Sequence, residues 1–490
     1  MFSARRRAIT VVAVTAAVAA GFLVPASNAD AAGSTTYLTA KRTCASTVSS
    51  GHATCFAMKL VRSKVKTPGA IPASAVPAAV VPQGPSGGYT PADIAKAYGF
   101  KNTAAATGQL VAIVDAFDNP NIKADLAAFD AQYGLHAETA TSFKVVNQNG
   151  AAAPLPPGNS GWAGEEDLDV QTVRGLCTKC RIVLIEATSN SNANLDIAEN
   201  TAATLGATVI SNSFGGPEGA SIPAADKAAY NHPGIAIVAS TGDDGWFSWD
   251  KLNDGVGTAP VPNTPSSLDT VIAVGGTTLN LNPDATRAGE SVWNNNGPFD
   301  YWGNQLQASQ GASGGGCSSL ITAPAFQSAI AGYSSMGCGT KRSTGDVAAL
   351  ADPFTGYDIF LGSAGQWETF GGTSLSAPVI ASMIALAGGA HSVNYPASTI
   401  YSHYTTTPTG STPYFDVQVG ANGACSTATT GACLGFFGGN PNAVVGETID
   451  CNFGPTGTAV VANNGQCNAG VGYDGPTGVG VPKGLNLFKP

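Results

Sequence analysis

The sequence predicts an α/β protein: a doubly wound, mostly parallel sheet with helices on both faces. The first observation is a set of short apolar runs without alternation, at 110–114, 182–185, 208–210 and 235–238. A strand covered on both faces reads as a continuous apolar run because neither side meets water. The second is that segments between these runs, such as 124–133 and 194–205, have helical character, and parallel neighbours need such crossovers. The third is composition. The 490 residues are 43% apolar and 11% charged, which supports a large core and excludes a disordered chain.

From the N-terminus, Arg5, Arg6 and Arg7 precede a 16-residue apolar run at 9–24, followed by small residues through Ala32. That run is short for a bilayer span, so residues 1–31 are expected to be a signal peptide cut after Ala29 or Ala31. Residues 32–88 form a short segment and a linker. Pro68, Pro72, Pro77, Pro82 and Pro85 stiffen the linker and forbid a helix. Order is expected over 89–490 as one large domain. Thr90 caps a helix there, Pro91 fits its first turn, and Asp93 faces the positive dipole end. No later segment is long and apolar enough to cross a membrane.

The net charge of −9 argues against nucleic acid and gives no attraction to an anionic membrane. Ten cysteines suit a secreted, extracellular chain. Cys44 and Cys55 form a first pair near the N-terminus, Cys177 and Cys180 a small loop, and Cys317 pairs with Cys338. Cys425, Cys433, Cys451 and Cys467 allow three pairings, and the nested one is expected: Cys425 with Cys467, Cys433 with Cys451.

The sharpest chemical signal is Gly371-Gly372-Thr373-Ser374-Leu375-Ser376-Ala377-Pro378, running into an apolar helix at 379–386. Ser374 sits at the helix start, where the dipole favours developing negative charge. This is the nucleophile string of subtilisins and their relatives. A serine nucleophile needs a base. None of the five histidines, His52, His136, His232, His391 and His403, stands in a His-Gly-Thr-His setting. The candidate base is Glu165-Glu166-Asp167-Leu168-Asp169. On a helix, Glu165 and Asp169 share a face. Two adjacent carboxylates cannot both ionise cheaply, so they share a proton and act as a base in acid, where imidazole is already protonated.

With these strings in order, the sequence resembles the sedolisins, or serine-carboxyl peptidases: secreted, acid-acting proteases on a subtilisin-like fold. The resemblance covers about 89–490 and also touches Val274-Gly275-Gly276-Thr277-Thr278-Leu279 and Asp346-Val347-Ala348-Ala349-Leu350-Ala351-Asp352-Pro353. It implies Ser374 as nucleophile, Glu165 as base and Asp169 as its partner. In Ser240-Thr241-Gly242-Asp243-Asp244-Gly245, it implies Asp243 as a protonated oxyanion donor, and Asp244 remains open for the same role. It implies one structural calcium, held by Asp416 and Asp474 and by the carbonyls of Val417, Gly470 and Gly472; hard oxygen ligands suit that ion. It implies protein or peptide substrates, and a monomer is expected. Asp115 lies where a subtilisin carries its triad aspartate and, lacking the histidine, is expected to line the cleft. Ser213 and Gly215 are expected there too.

Because Asp243 must keep its proton and Glu165 must share one, activity is expected to peak at roughly pH 3–5. The family's pro-domain is longer than the segment before residue 89, whose role as inhibitor, folding aid or disulfide-tied flap is open. Competing readings are an ordinary subtilisin-type protease and a non-catalytic secreted binding protein on the same scaffold.

Overall fold

The computed structural model describes residues 35–45, 48–67, 70–75, 84–246, 261–295, 310–423 and 465–490. The expected signal peptide and three of the last four cysteines lie outside these residues. Its centre is a sheet ordered, from one edge, Arg287–Val292, Ile272–Leu281, Ala236–Ser240, Val209–Asn212, Leu110–Ala116, Arg181–Ala187 and Phe143–Asn147, with Val347–Leu350 also paired to Ile272–Leu281. Every pairing in it is parallel except the hairpin of Ile272–Leu281 with Arg287–Val292.

The apolar runs form strands because both faces are covered. Side chains alternate across a strand. Val111 and Ile113 pack into one core with the helices Ile122–Tyr133, Ser160–Leu176 and Thr373–Ala387. Leu110, Ala112, Val114 and Ala116 pack into a second core with the helix Asn192–Thr204. At the predicted start of order, Thr90 and Asp93 form a reciprocal capping box on the helix Pro91–Ala97.

The chain first winds from the central strand Leu110–Ala116 to one edge, then crosses to the other side at Val209–Asn212. Ligand sites of such sheets sit at the carboxyl ends of strands flanking this reversal. Asp115, Ser213 and Asp243 all lie at such ends.

A second sheet joins distant parts of the chain. Its order is Tyr357–Leu361, Gln366–Gly371, Met58–Ser63, Tyr37–Arg42 and Ile71–Pro72. The segment ahead of the expected domain is thus built into a sheet that ends at the nucleophile turn. Disulfides join Cys44 to Cys55, Cys177 to Cys180 and Cys317 to Cys338. Cys467 is disulfide-bonded too, to a partner outside the described residues, where the nested pairing also lies.

Candidate active site

Two helices meet at the site. Asn159 caps the first, its side chain accepting from the Gly161 and Trp162 amides, and Ser160–Leu176 then carries Glu165 and Asp169 one turn apart. Gly372, at φ 92°, turns the chain into the second, Thr373–Ala387, leaving Ser374 in its first turn. Ser374, Glu165, Asp169 and Asp243 are all 0% exposed, so each carboxyl must be paired or protonated.

Ser213 ties the groups together. The Ser374 hydroxyl donates to the Ser213 carbonyl at 3.0 Å, and the Ser213 hydroxyl donates to Asp169 Oδ1 at 2.8 Å. Burial pushes the Glu165 carboxyl well up; the Asp169 charge adds to this, while hydrogen bonding with Ser374 and the Ala57 amide opposes it. Burial likewise raises Asp169, against the Ser213 hydrogen bond. Asp115 reaches the same cluster from the central strand. Burial raises its carboxyl, then the charges of Asp169, Glu165, Glu166 and Glu186, and among the described residues neither oxygen has a hydrogen-bond partner. It is 0% exposed.

Asp243 lies across the nucleophile turn. Its Oδ1 accepts from the Thr373 amide and hydroxyl, each at 2.8 Å. Burial raises its carboxyl to about 7, opposed by Arg42 and by the two Thr373 bonds. Its Oδ2 has no partner among the described residues and lies against Gly372, where an added Cβ would come within 2.7 Å of it and 1.9 Å of the Phe56 carbonyl oxygen. The neighbouring Asp244 instead forms an ion pair with Arg42. The two aspartates thus differ in partner: Asp243 faces the Thr373 turn and Asp244 faces Arg42. Among the described residues no histidine is hydrogen-bonded to this cluster; His52 and His403 contact the carbonyls of Ser50 and Lys489.

Sequence reasoning missed the occupants of the cleft. Gly215 and Phe214 pair antiparallel with Thr54 and Cys55, and the Phe56 amide donates to the Ser213 carbonyl at 3.2 Å. The cysteine pair signals a tie near the N-terminus, but no local pattern says where that tie docks.

The expected calcium ligands converge elsewhere. Asp416 accepts from the Gly472 amide, and Asp474 from the amides of Gly470 and Thr477. The two carboxyls are close enough that each Asp416 charge opposes ionisation of Asp474. The carbonyls of Val417, Gly470 and Gly472 accept no hydrogen bond among the described residues. Two facing carboxyls plus unengaged carbonyls form a hard-oxygen set that fits calcium. No cluster of three or more His, Cys, Asp or Glu side chains suited to a metal occurs among the described residues.

The comparisons with known proteins agree with this architecture. The model of the subtilase family matches residues 149–422. Kumamolisin of Bacillus sp. (strain MN-32) is 31% identical over 61% of this chain and 51% of its own length. Sedolisin of Pseudomonas sp. (strain 101) is 26% identical over 69% of this chain and 57% of its own. The chain thus spans about half the length of these curated relatives. A solved structure of Pseudomonas sedolisin, a serine-carboxyl proteinase complexed with two molecules of pseudo-iodotyrostatin, superposes with a TM-score of 0.62 at 25% identity, covering 82% of this chain and 98% of that one. With the fold, the nucleophile turn and the helix-borne carboxyl pair beside it, the chain belongs to the subtilase family, in its sedolisin branch.

Proposed function

We propose that this protein is a secreted serine-carboxyl peptidase that hydrolyses peptide bonds in acid. The observation that carries the reading is the burial of Glu165 and Asp169 together beside the Ser374 hydroxyl, with a third raised carboxyl, Asp243, across the turn. Ser374 Oγ attacks the scissile carbonyl while Glu165 takes its proton. Asp169 shares a proton with Glu165 and is held by Ser213. Asp243 keeps its own proton below about pH 7 and donates it in a hydrogen bond to the oxyanion. Glu165 then protonates the leaving amine, and water releases the acyl group from Ser374. Asp115 adds a neutral, water-free backing to the pair.

The same groups give the pH dependence its sign. As pH rises, Asp243 loses the proton it must donate and the carboxyl pair loses the one it shares. Activity is therefore greatest at roughly pH 3–5 and falls toward neutrality. Calcium, when bound, cross-links two segments of the chain; Asp416 and Asp474 would hold it with the carbonyls of Val417, Gly470 and Gly472. The basic, apolar and small-residue order of the first 31 residues and the three disulfides support secretion.

The test is peptide hydrolysis across pH by the wild type, Ser374→Ala and Glu165→Gln. Each variant is expected to lose about 10³-fold or more in kcat with an unchanged circular dichroism spectrum. Near-wild-type turnover in either variant, or a maximum at neutral pH, would overturn the assignment.

A further inference from the structure

A cavity with a buried acid lies at the opposite end of the sheet from the nucleophile. The helix Ile122–Tyr133 turns Lys123, Ala127, Asp130 and Ala131 to one face, because their spacing follows the helical repeat. Gly134, at φ 63°, ends the helix, and the chain returns through Leu135 and Glu138 to Phe143, where the edge strand Phe143–Asn147 begins. These residues line a cavity of about 540 Å³, within the roughly 300–1,000 Å³ of small-molecule sites. Phe143–Asn147 runs parallel to Arg181–Ala187, and that strand to Leu110–Ala116. Phe143 is thus at the amino end of the sheet, whereas Asp115, Ser213 and Asp243 lie at carboxyl ends.

The walls are apolar: Ala127, Ala131, Leu135 and Phe143. The alanines leave room that longer side chains would fill. Asp130 is only 3% exposed, yet neither of its carboxyl oxygens has a hydrogen-bond partner among the described residues. A buried carboxylate without a partner is costly. Burial, and then the Glu138 charge, raises the Asp130 carboxyl to about 7, against the attraction of Arg174. Arg174 is committed elsewhere: it pairs with Glu138 and donates to the carbonyls of Thr178, Cys180 and Ser142. Lys123 is exposed to solvent. Two open oxygens on one buried carboxyl, in an apolar recess, match a planar cation with two parallel N–H donors.

We propose that this cavity binds a guanidinium group on a short apolar stem, with Asp130 as its counter-ion. The guanidinium donates two parallel N–H bonds to the two Asp130 oxygens, and the stem lies on Ala127, Ala131, Leu135 and Phe143. A guanidinium is more weakly hydrated than an ammonium, so it enters an apolar recess at lower cost. An arginine side chain of a polypeptide and a free alkylguanidine share this chemistry. The pH dependence has one source, because a guanidinium keeps its charge throughout. Of the other charges facing Asp130, Glu138 and Arg174 are paired with each other, and exposed Lys123 is screened. Only ionised Asp130 pairs with the cation, so protons compete and binding weakens as pH falls through about 7. The cation is held near neutrality and released in acid.

The experiment titrates the full chain with butylguanidine by isothermal calorimetry at pH 8 and pH 5. N-butylurea, which keeps the fork and the stem but not the charge, is the comparison. At pH 8 butylguanidine is expected to bind at least about tenfold more tightly than N-butylurea, the scale of a hydrogen bond to a charged group. At pH 5 it is expected to lose at least about tenfold in affinity as Asp130 takes up its proton. Asp130→Asn is expected to bind both probes alike, and to hydrolyse peptide at pH 4 as the wild type does. Ala127→Leu keeps the acid and narrows the recess, and it too is expected to weaken butylguanidine. It decides the matter if Asp130→Asn loses the wild-type circular dichroism spectrum. Nα-acetylargininamide separates the sources. Affinity equal to that of butylguanidine assigns a polypeptide arginine, and affinity at least about tenfold lower assigns a free guanidine; both sustain the site. Equal affinity of the wild type for the two probes, equal affinity for butylguanidine at the two pH values, or unchanged binding in Asp130→Asn or Ala127→Leu overturns the proposal.

Discussion

Glu165 with Asp169 and Asp416 with Asp474 are two pairs of acidic side chains in one molecule, and they differ in what can neutralise them. The first pair shares one helix and is ringed by further carboxyls and hydroxyls: Asp115, Asp243, Ser213 and Ser374. Protons are what such surroundings offer. The second pair comes from segments far apart in the chain, beside carbonyls that accept nothing among the described residues. Amides and the Thr477 hydroxyl hold these carboxylates, and the carbonyl oxygens beside them are of the kind a hard cation takes. The contrast teaches that carboxyl type alone does not separate a proton site from a metal site. What differs is the rest of the setting: further carboxyls crowd the first pair, whereas unengaged backbone carbonyls stand beside the second.

The comparison breaks most sharply at Asp243. If the proton side is right, Asp243→Ala loses about 10²–10³-fold in kcat, the scale of one oxyanion donor. Asp243→Asn, whose amide donates at any pH, is expected to keep more activity and a flatter alkaline limb. Equal pH profiles for the wild type and Asp243→Asn would remove the protonated aspartate from the chemistry. On the cation side, chelation with EDTA or Asp474→Asn is expected to lower Tm by several degrees, a few kcal/mol at the roughly 2–4 °C per kcal/mol of large domains. Calcium should restore the chelated wild type but not the variant, and Glu165→Gln should respond to calcium as the wild type does. A melting curve indifferent to chelation would erase the distinction.

The smallest effect concerns the whole fold. Burial raises Glu186 to about 9 and Asp130 and Asp196 to about 7, besides Asp243 and the helix pair. Between an unfolded value of about 4 and these folded values, the native state binds more protons than the unfolded chain, so stability falls as pH rises. Tm is expected to be highest near about pH 4–5 and to decline toward pH 8 by about 2 °C or more. A chain more stable at pH 8 than at pH 5 would mean that these acids are neutralised by something other than protons.

Much of this was legible in the sequence, for local reasons. The strand around Ile113 is a continuous apolar run because two cores cover it. The capping box of Thr90 with Asp93 is written within four consecutive positions. The spacing of Glu165 and Asp169 puts both on one helix face. Other features are pairings across long stretches of chain, which no local pattern records. The strand Met58–Ser63 alternates buried and part-buried residues over its first four positions, yet only its register with Phe370 and Gly371 carries it into the site. The different surroundings of Asp243 and Asp244 depend on Arg42, some two hundred residues earlier. Asp115 was legible as a strand-end acid, but its complete burial among the charges of Asp169, Glu165, Glu166 and Glu186 depends on the packing of the helix against the sheet.

Gly372 shows how little separates a reactive hydroxyl from a working one. Its backbone, at φ 92°, already disfavours a side chain, and a single methyl would fill the space the polarised carbonyl must enter. Such a molecule would still possess the Ser374 hydroxyl, the Glu165–Asp169 pair and Asp243. It would simply have nowhere to seat the bond they act on.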